Sequence, residues 1–293
     1  MNSSDSIIYQ CTFENCCAKS GGAITIETQQ PTRFFNISKC AFINNQADSF
    51  GGAFYFHAVW ATVYDCDFFN NKATSKGGDI YFDCYENSNK DYDNQFLIEK
   101  CNFERSDETI TIPLIDVKWG TKSDFAFKSN NVKIVPENTY LFGSDGTFDS
   151  TMISFSDNFI SSKDKIIDAE NNQDFSQIVG NDFLIPSDDC PVPKTGFKDP
   201  IDLSINPTIS VNKRLLACHM NLFRINGTQN IVFFYSCTFK NLQDTANQGG
   251  GAIYLFTASA TSKTPTPLGD CYIIKCSFDS CKSTKGGSIY IQT

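Results

Sequence analysis

The amino-acid sequence predicts an all-β solenoid, a right-handed parallel β-helix of about nine or ten coils. Three observations predict it. A Cys-x-Phe element recurs six times, an apolar residue stands three places before each of these cysteines, and a Gly pair followed by alternating apolar residues closes five of the repeats.

The repeats begin at Cys11, Cys40, Cys66, Cys101, Cys237 and Cys276, with Phe13, Phe42, Phe68, Phe103, Phe239 and Phe278 two residues on. Ile8, Ile37, Val63, Ile98, Phe234 and Ile273 hold the preceding apolar position. That position and the Cys differ in parity, so a bend must separate two short strands. After the glycines a further strand follows, in which Ile24/Ile26, Phe54/Phe56, Ile80/Phe82, Ile253/Leu255 and Ile289/Ile291 share one face. A period of about 27 residues built from such pieces makes one coil, and a coil buries its apolar face only against copies about 4.8 Å above and below. The expected interior is therefore a set of ladders: Cys on Cys, Phe on Phe, and Asn45 on Asn71. Gly21–Gly22, Gly51–Gly52, Gly77–Gly78, Gly250–Gly251 and Gly286–Gly287 stand where the chain re-enters a strand, which calls for positive φ and close backbone approach.

The middle of the chain carries a weaker form of the pattern. Asn130, Asp157 and Asn181 stand where Cys stood, and residues 186–236 are expected to hide one further turn. Residues 1–293 are thus read as one solenoid, motif-rich over 5–112 and 230–293 and degenerate over 113–229. Regular leucine spacing, four-stranded blades and amphipathic helices are all missing, which sets aside the other common repeat folds.

Asp and Glu outnumber Lys and Arg by 33 to 24, and a net charge of −9 disfavours a nucleic-acid groove or an anionic-membrane patch. No run of apolar residues is long enough to span a bilayer as a helix, and no signal peptide is visible. The first and last residues fall inside coil strands. The expectation is either a piece of a longer frame or strand edges protected by end-to-end association. Longer polar loops are read at 84–95, 186–200 and 257–270.

The chemistry expected from these residues is sparse. The 13 cysteines do not have zinc spacing, and the inner column reads as buried thiols, with Cys84 and Cys190 as loop cysteines able to pair in an oxidising compartment. His57 and His219 lie in unrelated contexts. Asp65, Asp67 and Asp79 read as outward carboxylates of solvated strands rather than an acid–base set. No catalytic residue, no metal site and no cofactor is expected. Tyr55 and Tyr81 occupy one position in adjacent coils, as do Tyr254 and Tyr290, which predicts two exposed aromatic rows suited to a sugar or a protein partner. Asn2, Asn36 and Asn226 begin glycosylation sequons, relevant only in a secretory pathway.

The tandem GGAI, GGAF, GGDI, GGAI and GGSI segments, with the FxxN pattern of Phe42–Asn45 and Phe68–Asn71, resemble polymorphic outer membrane protein repeats. The chain is also similar to the wider group of right-handed β-helix proteins, the pectin-lyase-like superfamily. The resemblance implies a surface-displayed or secreted adhesin-like scaffold without catalysis, binding a glycan or protein outside the cell. The alternative it implies is a carbohydrate-active lyase or hydrolase.

Overall fold

The computed structural model describes residues 6–28, 34–57, 60–84, 94–118, 123–145, 153–160, 183–184, 209–211, 223–226, 232–235, 238–244, 249–256 and 271–292. All regular structure there is β-strand, arranged in four sheets of parallel strands, as the repeat pattern predicts. One coil shows the plan. Ser6–Tyr9 belongs to the first sheet, Thr12–Glu14 to the second, Cys17–Ser20 to the third and Ile24–Glu27 to the fourth. The next coil repeats it with Phe34–Ser38, Ala41–Ile43, Gln46–Phe50 and Phe54–His57, each in parallel register with its counterpart.

The bend demanded by the parity break is a single residue in the left-handed region. Gln10, Lys39, Asp65, Lys100, Ser129, Asp157 and Lys275 all have φ between 52° and 57°, each one residue before an inward-facing anchor. A second bend, between second and third sheets, uses Asn15, Asn44, Asn70, Asn241 and Ser280 at φ 48–56°. Left-handed backbone costs L-residues energy, and Asn tolerates it best, which accounts for four of those five. Asp157 is therefore the bend, and Asn158 rather than Asp157 is the anchor. Asn158 is buried, as is Ile160 two residues on. The side chains of Asn181 and Cys237 lie outside the described residues.

The interior is a set of ladders. Phe278, Phe13, Phe42, Phe68 and Phe103 form a continuous column with centroid spacings of 4.6–5.2 Å and near-parallel rings, and Phe239 extends it at 4.7 Å. Cys276, Cys11, Cys40, Cys66 and Cys101 are buried beside them. The thiols make hydrogen bonds along the column. Cys11 N–H donates to Cys40 Sγ at 3.4 Å, and Cys40 Sγ donates to the Ser38 carbonyl at 3.2 Å. Below Cys101 the column continues with asparagine: Cys101 N–H donates to Asn130 Oδ1 at 2.8 Å, and Asn130 N–H to Asn158 Oδ1 at 2.9 Å. Cys and Asn are thus equivalent here, since each accepts one N–H from the neighbouring coil and returns a donor to a carbonyl.

A second such column runs Cys281, Cys16, Asn45, Asn71. Asn45 Nδ2 donates to Asn71 Oδ1 at 2.8 Å and to the Phe13 carbonyl at 3.1 Å, while its N–H donates to Asn71 Oδ1 at 2.9 Å. The column ends at Asp79, which accepts from Asn71 Nδ2 at 2.9 Å. Arg105 then fills the core of the next coil, fully buried, with Nη2 3.2 Å from Asp79 Oδ2. The coil of Cys101 lacks the glycine pair, and this guanidinium sits against Gly78 in its place. Elsewhere the second glycine of each pair stacks backbone on backbone: a Cβ on Gly52 would fall 2.0 Å from the Gly78 carbonyl oxygen. The first glycine supplies the left-handed turn, as at Gly51 with φ 64°.

Coil order in the stack differs from coil order in the chain. The first sheet runs Ile153–Ser156, Ser123–Lys128, Asn94–Glu99, Trp60–Tyr64, Phe34–Ser38, Ser6–Tyr9, Cys271–Ile274, Val232–Tyr235, Ile209–Val211. The coil of Cys276 therefore docks on the coil of Cys11. Ser6 pairs with Cys271, Phe13 with Phe278 and Ile24 with Ile289. The strand edges of 6–27 and 271–292, expected to lie open to another chain, are paired with each other. We refer to this contact as the seam.

Candidate ligand-binding face

The tyrosine rows exist but are not exposed. Tyr55 and Tyr81 stack at 5.8 Å, and Tyr254 and Tyr290 at 5.1 Å. The seam joins them into one column of the fourth sheet, with Thr25 between Tyr290 and Tyr55. Tyr81, Tyr254 and Tyr290 are buried and Tyr55 is half-buried. The cover comes from the segment entering the fourth sheet: Phe50 lies 5.0 Å from Tyr81 and 6.3 Å from Tyr55, and Lys285 lies over Tyr290. The hydroxyls are engaged as well. Tyr55 donates to Asp83 at 3.2 Å, Tyr290 to Glu27 at 2.7 Å, and Tyr254 to Gln292 at 2.7 Å. Burial, with Glu27 beside it, pushes the Tyr290 phenol up.

The same sheet carries an ionic row in register with the tyrosines. His57 Nδ1 lies 3.3 Å from Asp83 Oδ2, and Lys118 Nζ lies 3.0 Å from Asp83 Oδ1. Burial opposes ionisation of Asp83, but the hydrogen bonds from His57 and Lys118 outweigh it and hold the carboxyl below its usual range. His57 thus anchors a cross-coil network. His219 lies outside the described residues. Asp79 is not the outward carboxylate the strand pattern implies: it is buried with Arg105, and burial raises its pKa despite that partner. Asp65 is a bend and Asp67 is bonded to Asn102 at 2.6 Å, so the three acids do not converge on one point. Among the described residues no cluster of three or more His, Cys, Asp or Glu is placed to hold a metal ion. Cys84, read as a loop cysteine, is buried, and the nine cysteines whose side chains are described are free thiols.

The face that does offer itself is the outer side of the first sheet. Registers there align Phe34, Trp60, Gln95 and Asp124 in one row, and Asn36, Thr62, Leu97, Ala126 and Ser154 in the next. These are the outward-pointing alternates of strands whose inward residues, Phe35, Ala61, Phe96 and Phe125, are core. Phe34 is 42% exposed, with Trp60 in edge contact at 5.0 Å. Between Phe34 and Asp124 the surface dips into a groove of about 500 Å³, lined among others by Thr62, Gln95, Leu97 and Ala126. Apolar ring, small floor and flanking amide, hydroxyl and carboxylate are groups that ligand-binding sites use. Nothing in the sequence marked Phe34: it lies ahead of the repeat's anchor, in the one position of the strand where an outward aromatic breaks the alternation.

A family model described as the Chlamydia polymorphic membrane protein repeat matches residues 39–57. That span runs from the left-handed Lys39 through Cys40, Phe42, Asn45 and the Gly51–Gly52 turn to the end of the fourth-sheet strand at His57. No curated protein and no solved structure matches the chain.

Proposed function

We propose that this protein is a surface-associated, adhesin-like β-solenoid that recognises an extracellular ligand through the outer face of its first sheet. The repeat at residues 39–57 is of a type belonging to polymorphic membrane proteins, which supports a surface setting. The observation that carries the reading is the exposed Phe34 at the head of the Thr62–Leu97–Ala126 groove; among the described aromatics Phe69, on the second sheet, is the one other exposed ring, and it does not line this groove. The stack holds that groove rigid, because each of its strands from Phe34–Ser38 to Ser123–Lys128 is paired on both sides. A rigid, pre-formed surface loses little entropy on binding. The test is adhesion of beads coated with the full chain to cultured animal cells, counted against beads coated with Phe34→Ala. The reading requires saturable adhesion that the substitution lowers at least about fivefold, well over 0.5 kcal/mol of contact. Equal, background-level adhesion of both would remove it.

A further inference from the structure

We infer that the ligand of the first-sheet groove is a neutral oligosaccharide. This rests on the binding reading above and names its chemistry. An extended peptide is recognised by a sheet chiefly through main-chain hydrogen bonds at an open edge. The groove lies on the face of the sheet. Its strands from Phe34–Ser38 to Ser123–Lys128 are paired on both sides, and Ile153–Ser156, which brings Ser154 to the far rim, ends the sheet of described strands, so the floor of the groove offers no main-chain group. Recognition is left to side chains.

The side chains present fit a sugar. Phe34 offers a ring to the apolar C–H face of a pyranose, the contact that aromatic residues supply best. Gln95 and Asp124, adjacent in one row and both exposed, offer an amide and a carboxylate. Each can bridge neighbouring hydroxyls, which donate and accept at once. Thr62 and Ser154 place further hydroxyls in the next row, on either side of the Leu97–Ala126 floor. Charge is balanced, Asp124 against Lys128 at the groove's edge, so neither a polyanion nor a polycation is favoured. From Phe34–Ser38 to Ile153–Ser156 there are four strand steps, about 19 Å at 4.8 Å each, the length of a short oligosaccharide rather than a single ring.

The experiment has two arms. In the first, the full chain is applied to cells treated beforehand with periodate, which cleaves vicinal diols, or with protease. The inference requires that periodate remove at least about nine-tenths of the binding. Binding that survives periodate and is lost to protease overturns the carbohydrate assignment and leaves the adhesin reading intact. No binding to untreated cells sinks both. In the second arm, a Trp119→Phe variant leaves Trp60 the sole tryptophan, in edge contact with Phe34. Neutral oligosaccharides from a glycan library are titrated against its fluorescence. Saturable quenching that weakens at least tenfold in Asp124→Ala, but not in Phe69→Ala on the second sheet, is the expected result. A response equal in all three, or none, overturns the site.

Discussion

At the residue scale, the fold depends on side chains that copy a backbone hydrogen bond from one coil to the next. Cys and Asn replace one another in the two columns because both accept a neighbour's N–H and both carry a donor. Asn45 accepts from Cys16 N–H at 3.0 Å and donates to the Phe13 carbonyl and to Asn71. Asn45→Leu leaves those buried groups unpaired and should lower stability by about 2–4 kcal/mol. Asn45→Cys keeps an acceptor and a weak donor, as its counterpart Cys16 does, and should cost about half as much; urea unfolding of both variants decides it. Asp116 makes a second prediction. Burial pushes its carboxyl up to about 6, against Lys76 and the Gly77 N–H. Below about pH 4 it is protonated both folded and unfolded, with no penalty. As pH rises through about 4 the unfolded chain's Asp ionises while the folded one does not until about 6, and over that window the folded state loses up to about 3 kcal/mol relative to acid pH. Asp116→Asn should flatten that limb of the stability–pH curve between 4 and 6; an unchanged curve would contradict the burial of this group. The inward Cys, Phe and Asn positions were legible in the sequence because like residues recur at a fixed offset. The bend residues before the anchors were not, since Gln10, Lys39, Asp65 and Lys100 share a backbone angle and no side-chain chemistry.

At the element scale, the sequence showed the strands and the glycine turns, and it misjudged what covers them. Tyr55 and Tyr81 were placed correctly on one face of adjacent strands, since period two settles that. Their cover by Phe50 comes from a neighbouring strand of the third sheet, Gln46–Phe50, and strand alternation carries no information about such a contact. The same blindness hid Phe34, whose exposure depends on what lies beside it across coils. The Gly51–Gly52 turn makes a plain prediction. Gly52→Ala puts a methyl group 2.0 Å from the Gly78 carbonyl oxygen in backbone that has no flexible end to yield. The expected result is loss of the cooperative thermal transition or a melting point more than about 10 °C lower. The Arg105–Asp79 pair behaves differently. It is buried and leaves Arg105 Nε and Nη1 without protein partners. Asp79→Ala alone should cost about 3–5 kcal/mol, whereas Asp79→Leu with Arg105→Met should cost far less, because an isolated buried charge is worse than none. Calorimetry of the single and double variants separates the two outcomes.

At the scale of the whole molecule, the sequence showed like layers but not their order. The layers from Phe239 to Phe103 carry the same Phe, and those of Asn130 and Asn158 put Val132 and Ile160 in its place, so most coil edges are complementary to one another and local pattern alone does not choose a partner. The structure chooses the coil of 271–292 for the coil of 6–27. The rings of Phe278 and Phe13 are spaced as those of Phe13 and Phe42, 4.7 and 4.8 Å, so the seam is packed as tightly as a contact between consecutive coils. Lys285 Nζ crosses it to Glu27 at 2.9 Å, and Tyr290 meets the same carboxylate. The first-sheet groove spans only coils on one side of the seam, from Phe34 to Ser154, so ligand binding and seam packing are separate properties of one stack.

The most direct test of that stack is zero-length carbodiimide cross-linking of the full chain in its monomeric fraction, followed by peptide mass mapping. The account predicts an amide between Lys285 and Glu27, residues 258 apart in sequence, abolished by Glu27→Gln. A Lys285 that links instead to carboxylates of the coils on either side of residues 94–145, with Glu27 untouched, would contradict the order of layers described here.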